Sequence, residues 1–463
     1  MTTPVSKRVL SLFTLVMINV IAVDNLRTLP VSAQLGCSLV AYYLFAAVLF
    51  FIPIALVAAE LATAYPSTGG LYVWVREAFG KRIAFITIWL QWIYNVVWYP
   101  TILVFIVTTM AYLFSPDLAK NRSYLLGTTV SLFWLMTLLN WFGMRISGFI
   151  SILGAILGTL IPMIGISVLG VLWIVQGHPI AVQQPILWLP DMHALGNASL
   201  FSAVLFGLLG IEMSAMHAEE VKNPQRDYPK ALFYSMLIIF STLVLGSLAI
   251  VIVVPNHQLN VVSGLIDAYA LFFKAYHISW MTSVTAVLII LGGLSGVSAW
   301  IIGPTKGLLV AARDGCIPIH FAKMNRHGAP TRILVVQGLI FTLLSSIFIL
   351  SDIYAAYWIL TILCAQLALL VYIFMFAAAI MLRYKDPERP RPYRIPGGNI
   401  GMWVLALMGL SCCIFAIVIG FIPPNNIPIK NLTFFEGCLS VGMIVFVVIP
   451  WLLSKKNFQK SES

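Results

Sequence analysis

The sequence predicts an all-α integral membrane protein with twelve transmembrane helices. Of its 463 residues, 60% are hydrophobic and only 9% are charged, whereas about a quarter of the residues in an ordinary soluble domain are charged. Apolar runs of about 20 residues, long enough to cross ~30 Å of hydrocarbon, recur along the whole chain between short segments rich in charge, Pro or Gly. This pattern excludes a soluble fold and leaves no room for a large soluble domain.

These runs define twelve predicted spans. They lie near 9–34, 39–62, 83–114, 124–142, 147–176, 198–220, 231–254, 281–312, 332–351, 354–382, 401–422 and 433–453. Lys7 and Arg8 before the first run are typical of a signal peptide, but no small-residue cleavage site follows them. We therefore interpret the first run as span 1.

Positive charge is unevenly distributed between the two sides of these spans. Of the 27 Lys and Arg residues, 22 are assigned to one side of the membrane, Lys120, Arg122, Lys274 and Lys430 to the other, and Arg27 lies inside span 1. Because cytoplasmic loops carry the excess of Lys and Arg, both termini are predicted to be cytoplasmic, in a plasma (bacterial inner) membrane. The net charge of +11 is thus a topology signal: the bilayer is the expected partner, and no nucleic acid is.

Span 1 contains a polar stretch in its middle, which reads Val23-Asp24-Asn25-Leu26-Arg27-Thr28-Leu29-Pro30. Proline removes a backbone donor, and Asp and Asn side chains compete for backbone hydrogen bonds. Lipid tolerates the resulting unpaired backbone groups only where they line a cavity. We therefore predict a helix break whose residues 23–27 bind the substrate; the alternative is a proline kink with an ion pair between Asp24 and Arg27.

Span 6 contains a second candidate break, Gly207-Leu208-Leu209-Gly210-Ile211-Glu212. Gly207 lies 183 residues after Asp24, which is five spans of about 37 residues, and matched interruptions indicate an inverted-repeat transporter with a midplane site. The predicted organisation is one domain with a 5+5 inverted repeat, 9–176 and 198–382, and two extra helices in 401–453. In span 6, Gly207, Leu208, Gly210 and Ile211 are the predicted substrate-binding residues.

Among the 16 acidic residues, Asp24, Glu60 and Glu212 fall within predicted spans. A charge inside a span costs ~2.5–3.5 kcal/mol on insertion scales, so each is a functional candidate. We predict a gating or proton-sensing role for Glu60 and Glu212. For Glu212, the alternative is a fixed structural partner of a neighbouring donor.

The segment after span 6 reads Ala218-Glu219-Glu220-Val221-Lys222-Asn223-Pro224-Gln225-Arg226-Asp227-Tyr228-Pro229. A Gly-x-Glu motif precedes it, span 2 ends in Ala59-Glu60-Leu61-Ala62, and Tyr65-Pro66, Gly69-Gly70 and Tyr72 follow that span. With these features the chain resembles the amino acid-polyamine-organocation (APC) transporter superfamily. Finer features resemble its bacterial glutamate:γ-aminobutyrate antiporter branch. They are His217, Arg226-Asp227-Tyr228-Pro229, Ser298-Ala299-Trp300-Ile301-Ile302-Gly303-Pro304, Phe321-Ala322-Lys323-Met324-Asn325 and Ile395-Pro396-Gly397-Gly398.

The resemblance implies a LeuT-like fold with discontinuous spans 1 and 6, and a secondary active amino acid transporter. It implies alternating-access exchange of a glutamate- or γ-aminobutyrate-like substrate, with His217 joining the gating residues. The chain departs from the family pattern in three ways. Val23-Asp24-Asn25 replaces the common Gly-Ser-Gly, Gly296 replaces an acid four residues before Trp300, and about ten residues replace the long C-terminal tail.

Side-chain selectivity is expected to come from spans 3, 8 and 10, where Tyr94, Asn95, Trp98, Trp300 and Trp358 are candidate liners. Core packing or anchoring at the membrane interface is the alternative explanation for any one of these aromatic residues. Arg27 is predicted to contact a carboxylate-bearing substrate, unless it only balances Asp24.

Sequence motifs favour a transporter over an enzyme. The chain has no G-x-S-x-G, H-E-x-x-H or P-loop pattern, and its seven His and six Cys show no metal-ligand spacing, so we expect neither catalysis nor a cofactor or metal. An amino acid is the expected small-molecule partner, and protons are a candidate coupling ion. A proton-coupled importer of different specificity, a channel and a non-transporting sensor or scaffold remain alternatives, and the sequence carries no signal for an oligomeric state.

Overall fold

The computed structural model describes residues 11–66, 70–142, 154, 156–182, 186–189, 195–213, 221, 223–424, 429 and 431–462. In chain order, the α-helices of this part are α1 Leu12–Val23, α2 Thr28–Ala33, α3 Leu39–Ala46, α4 Ile52–Ala64, α5 Leu71–Phe79, α6 Lys81–Ala111, α7 Arg122–Trp141, α8 Ile161–Val175, α9 Leu195–Gly207, α10 Pro224–Val253, α11 Gly264–Ala275, α12 Met281–Arg313, α13 Thr331–Ser345, α14 Ile347–Leu350, α15 Ile353–Lys385, α16 Gly398–Ile419 and α17 Leu432–Glu462. A π-helical turn, Ala47–Phe51, joins α3 to α4, and another, Ile156–Leu160, precedes α8.

The predicted all-α membrane fold is confirmed. Within the described residues, ten helices are long and apolar enough to cross a membrane. Spans 1 and 6 are instead represented by shorter apolar helices, Leu12–Val23 and Ser199–Met213. Span 1 is interrupted at residues 24–27, and α9 ends at Gly207, inside predicted span 6. The total of twelve spans and the repeat boundaries remain predictions, and His217 lies outside the described residues.

Three features differ from the sequence-based expectation. The helices α5 and α11 lie in segments that the sequence treats as loops, because amphipathic helices of 9 and 12 residues leave no long apolar run. The predicted last span ends near residue 453, whereas the backbone of α17 stays helical to Glu462. A hydropathy boundary marks where a helix leaves the lipid and not where its backbone hydrogen bonds end.

The helix α6 lies at the centre of the bundle. In its most apolar stretch 94% of the residues are buried, against 11% in α17, so α6 is an internal helix and α17 presents its surface to lipid. The helix α6 packs most extensively against α12 and α15. Buried polar residues such as Gln91, Asn95 and Thr101 lie along it, as expected for a helix that faces protein on all sides.

Close packing joins the segment before α8 to α12. A Cβ atom on Gly158 would overlap the backbone of Gly292, and one on Gly292 would overlap the backbone of Gly158. Small residues at such contacts let two membrane helices approach closely. This contact brings the Gly292 region of α12 towards the break between α1 and α2.

Candidate functional site

The break between α1 and α2 is organised by Asn25. Its side-chain Oδ1 accepts a hydrogen bond from the backbone N–H of Arg27 (3.1 Å), and its carbonyl oxygen accepts from the N–H (3.0 Å) and the hydroxyl (2.7 Å) of Thr28. This local side-chain bonding competes with the helical pattern and turns the chain. The N–H of Asp24 still bonds to the Val20 carbonyl (2.7 Å), so α1 ends there.

Several backbone groups at this break have no hydrogen-bond partner within the described part of the chain. They are the carbonyl oxygens of Ile21, Ala22 and Val23 and the N–H groups of Asn25 and Leu26. Unpaired backbone groups are costly in a membrane unless they face a water- or ligand-filled space. All five residues line one cavity.

A side chain of α15 stabilises the break at the end of α9 through hydrogen bonds. Gly210 has a φ of +107°, a conformation that side-chain-bearing residues rarely adopt. Its N–H donates to the hydroxyl of Tyr372 (3.0 Å), which in turn donates to Oε2 of Glu212 (2.7 Å). Tyr372 therefore fixes the turn and the acid that follows it with a single hydroxyl group.

The two breaks meet each other. A Cβ on Gly207 would lie 3.4 Å from Cγ2 of Thr28, and one on Gly210 would lie 3.3 Å from the Ala22 carbonyl oxygen and 3.6 Å from the Trp300 ring. The turn after α9 therefore lies against the end of α1 and the start of α2, and the tight approach and positive φ of Gly210 favour glycine there.

The cavity has a volume of about 80 Å³. Nine of the fourteen predicted substrate-binding residues line it, namely Val23, Asp24, Asn25, Leu26, Tyr94, Asn95, Trp98, Gly207 and Trp300. Arg27, Leu208, Gly210, Ile211 and Trp358 are not among its lining residues. Trp358 is completely buried among the packed helices, which is the environment of a core-packing residue.

Trp98 and Trp300 are two of the aromatic residues in the cavity wall. Their ring centroids are 6.2 Å apart in an edge-to-face arrangement. Pro304 cannot supply the N–H that would bond to the Trp300 carbonyl in a regular helix, and the hydroxyl of Tyr99 donates to that carbonyl instead (2.9 Å). A proline in α12 thereby couples this helix to α6 next to the cavity.

Asp24 and Arg27 do not form the ion pair with each other that is the alternative prediction from the sequence. Both carboxylate oxygens of Asp24 lie 3.0–3.1 Å from the hydroxyl of Thr242. The guanidinium of Arg27 instead donates from Nη1 to the hydroxyls of Tyr357 (3.3 Å) and Thr361 (3.2 Å). The two charged side chains therefore point to different neighbours, Asp24 to α10 and Arg27 to α15.

Glu60 lies away from the cavity, at the end of α4. Its carboxylate accepts hydrogen bonds from Nε and Nη2 of Arg383 (2.6 and 2.5 Å) and from the backbone N–H of Ile395 (2.8 Å). Arg391 adds a second ion pair at 3.5 Å. Glu60 therefore ties α4, α15 and the loop before α16 together.

Sequence analysis missed several residues of this site. Gly296 lines the cavity, and a Cβ atom added there would meet nothing within 4 Å; its place in Gly292-Gly293-Leu294-Ser295-Gly296 was a usable signal of small residues beside a cavity. Phe206, Thr242 and Tyr372 lie in continuous apolar or ordinary helical sequence, so no local pattern distinguishes them.

Comparison with known proteins identifies the family of this chain. Residues 9–449 match the family model described as amino acid permease. The chain is 68% identical to an uncharacterised transporter of Legionella pneumophila, over 98% of both proteins. It is 28% identical to a glutamate/γ-aminobutyrate antiporter of Lactococcus lactis over 92% of this chain and 86% of that one, and 26% identical to a probable agmatine/putrescine antiporter of the same species over 93% and 91%. The chain is therefore a multi-pass membrane protein that belongs to the amino acid permease family of the amino acid-polyamine-organocation superfamily, a family of transporters.

Proposed function

We propose that this protein exchanges one amino acid for a related amino acid or amine, of the glutamate/γ-aminobutyrate type, by alternating access. The observation that carries the proposal is the set of unpaired backbone groups at the α1–α2 break, all on residues of one cavity. Free carbonyl oxygens at the end of α1 suit the ammonium group of an amino acid, and the free N–H groups of Asn25 and Leu26 suit its carboxylate.

The size and walls of the cavity support a small substrate. About 80 Å³ is well below the ~300–1,000 Å³ of pockets that hold drug-sized ligands. Tyr94, Asn95, Trp98 and Trp300 offer apolar and amide surface to the substrate side chain. Gly207, Leu208, Gly210 and Ile211 form the second break, which we propose moves against the first when access alternates.

Exchange is favoured over uniport by the named antiporters among the relatives. In the proposed cycle, Glu212 and His217 respond to the state of the α9 break. Glu60 holds the predicted cytoplasmic ends of α4 and α15 together. The five-helix repeats 9–176 and 198–382 supply the moving halves, with both termini in the cytoplasm of a bacterial cell.

Counterflow in proteoliposomes tests this function. The purified protein is reconstituted with 5 mM internal glutamate, γ-aminobutyrate, glutamine or no amino acid, and uptake of external labelled glutamate is followed at pH 5 and pH 7. We expect rapid uptake only with an internal substrate. Uptake that ignores internal contents would indicate a channel, and no uptake of any of the twenty amino acids or of γ-aminobutyrate would indicate a sensor or scaffold.

A proton-coupled importer is the second candidate, because Asp24 is 4% exposed, lines the cavity and has only a hydroxyl as its hydrogen-bond partner in the described part of the chain. A buried acid beside the substrate is a typical proton carrier. An inward pH gradient driving accumulation into liposomes that contain no amino acid would favour this mechanism over exchange.

A further inference from the structure

Arg27 carries a buried positive charge that the described part of the protein does not neutralise. Its side chain is 1% exposed, and its Nη1 bonds only to the neutral hydroxyls of Tyr357 and Thr361. The Nε atom is buried without a hydrogen-bond partner. Among the described residues, no carboxylate lies within 4 Å of this guanidinium.

The buried guanidinium of Arg27 has lost its hydration without gaining a counterion from the described residues. A guanidinium remains protonated in proteins, and a buried charge is normally paired because removing it from water is costly. Hydroxyl groups and aromatic faces reduce that cost but supply no negative charge. An anionic ligand would supply the negative charge that the described neighbours of Arg27 lack.

Arg27 lies directly beside the cavity. Its chain neighbours Leu26 and Thr28 both line it. The guanidinium carbon lies 5.3 Å from the ring centroid of Phe206, and Phe206 is itself a lining residue. The guanidinium carbon also lies 5.6 Å from the ring centroid of Tyr357. Two aromatic faces thus hold the cation, and Phe206 is the side chain shared by the guanidinium and the cavity.

We propose that Arg27 binds the side-chain carboxylate of the substrate, reached when the Phe206 ring moves aside. The backbone groups of the α1–α2 break would hold the amino and carboxylate groups on the α-carbon, and the planar guanidinium would donate a bidentate pair of hydrogen bonds to the second carboxylate. The substrate class is then an amino acid or amine with a carboxylate at the far end of a short chain. This inference rests on the proposed transport function.

Glutamate and glutamine make a matched pair of probes, since they have nearly the same shape and only glutamate has the distal carboxylate. γ-Aminobutyrate keeps that carboxylate and lacks the one next to the amine. Arg27 therefore accounts for recognition of both glutamate and γ-aminobutyrate, whereas the break alone would favour any small α-amino acid, glutamine included.

The test measures inhibition of labelled counterflow by glutamate, γ-aminobutyrate and glutamine in the wild type, Arg27→Gln and Arg27→Lys. The exposed Arg122 provides a matched control, Arg122→Gln. We expect the wild type to prefer glutamate over glutamine by at least about ten-fold, as loss of a charge-assisted hydrogen bond implies. Arg27→Gln should remove that preference by weakening glutamate and γ-aminobutyrate, and Arg27→Lys should restore it only in part because it lacks the planar fork.

The outcomes separate this inference from the proposed function. A wild type that exchanges neutral amino acids but binds glutamine as well as glutamate would overturn the role of Arg27 and leave the transporter in place; this measurement needs no variant. An equal loss for all substrates in a folded Arg27→Gln protein would also overturn it, by showing a positioning role. A wild type that moves no amino acid would instead refute the transport function.

Discussion

Two buried arginines, Arg383 and Arg27, are held in opposite ways. Arg383 donates one short hydrogen bond to each carboxylate oxygen of Glu60, and the two side chains are each 2% exposed. Arg27 is equally buried, but its described neighbours are hydroxyls and aromatic rings. Within the described residues, Arg383 has a carboxylate counterion and Arg27 has none. A complete pair joins structural elements, whereas an open one is available to a ligand.

Position in the fold supports the same distinction. The Glu60–Arg383 pair lies where α4 and α15 end, and it also engages Arg391 and the Ile395 backbone. It therefore closes the predicted cytoplasmic end of the bundle, away from the cavity. Arg27 lies at the interruption of span 1, where backbone groups are also unpaired. Of these two sites, as far as the described residues show, the second combines a charge without a counterion and backbone groups without hydrogen-bond partners.

The largest expected effect is on stability, in the variant Glu60→Gln. It leaves Arg383 buried without an anion, which typically costs ~3–5 kcal/mol, so thermal unfolding in detergent should shift strongly downwards. The control is Glu77→Gln, which removes one of the two carboxylate partners of Arg76, Asp314 being the other. The Arg76–Glu77 pair is 31% and 45% exposed, so its loss should cost at most ~1 kcal/mol.

Thermal unfolding of an Arg27 variant tests the contrast between Arg383 and Arg27. Arg27→Gln removes an uncompensated charge and should leave the unfolding temperature unchanged or raised. If Glu60→Gln and Arg27→Gln destabilise the protein equally, the two arginines do not differ in the way that their neighbours indicate.

Gly210→Leu should have the next largest effect. A leucine at a φ of +107° is strained by ~1–3 kcal/mol, and its Cβ would lie 3.3 Å from the Ala22 carbonyl oxygen. We expect transport to fall by more than ten-fold with moderate destabilisation. Gly127→Leu is the control, because a Cβ there meets nothing within 4 Å. Normal transport by a folded Gly210→Leu protein would show that the α9 break does not need its observed conformation.

The structure sharpens what sequence alone indicated for this position. The two glycines before Glu212 predicted a break, and α9 does end at Gly207. They did not predict that Gly210 has a positive φ or that a tyrosine 162 residues later holds it. The break in span 1 was predictable because Asp, Asn and Pro act locally. Its unpaired groups, and the separation of Asp24 from Arg27, depend on packing against α10 and α15, which no local pattern encodes.

Tyr372→Phe should reduce transport and stability less than Gly210→Leu does. It tests a case between the two arginines, because Glu212 is held by a hydroxyl group and not by a cation. The change removes the acceptor of the Gly210 N–H and the donor to Glu212, at a cost of ~1–3 kcal/mol. The pH profile of exchange should change in this variant and flatten in Glu212→Gln. A pH profile that is the same in wild type, Tyr372→Phe and Glu212→Gln would leave Glu212 with a structural role only.

Gly296→Ala has the smallest expected effect and probes the cavity directly. The position lies inside α12, where replacing glycine with alanine favours the helix by up to ~1 kcal/mol, and a Cβ there meets no atom within 4 Å. The folded protein should therefore be as stable as the wild type or more stable. The added methyl group enters the 80 Å³ cavity, so the affinity for substrate should fall about five-fold, the equivalent of ~1 kcal/mol. Gly127→Ala makes the same helical substitution away from the cavity and should leave affinity unchanged. Equal affinities in Gly296→Ala, Gly127→Ala and the wild type would mean that the substrate does not occupy the space beside α12, and would confine binding to the α1–α2 break and Arg27.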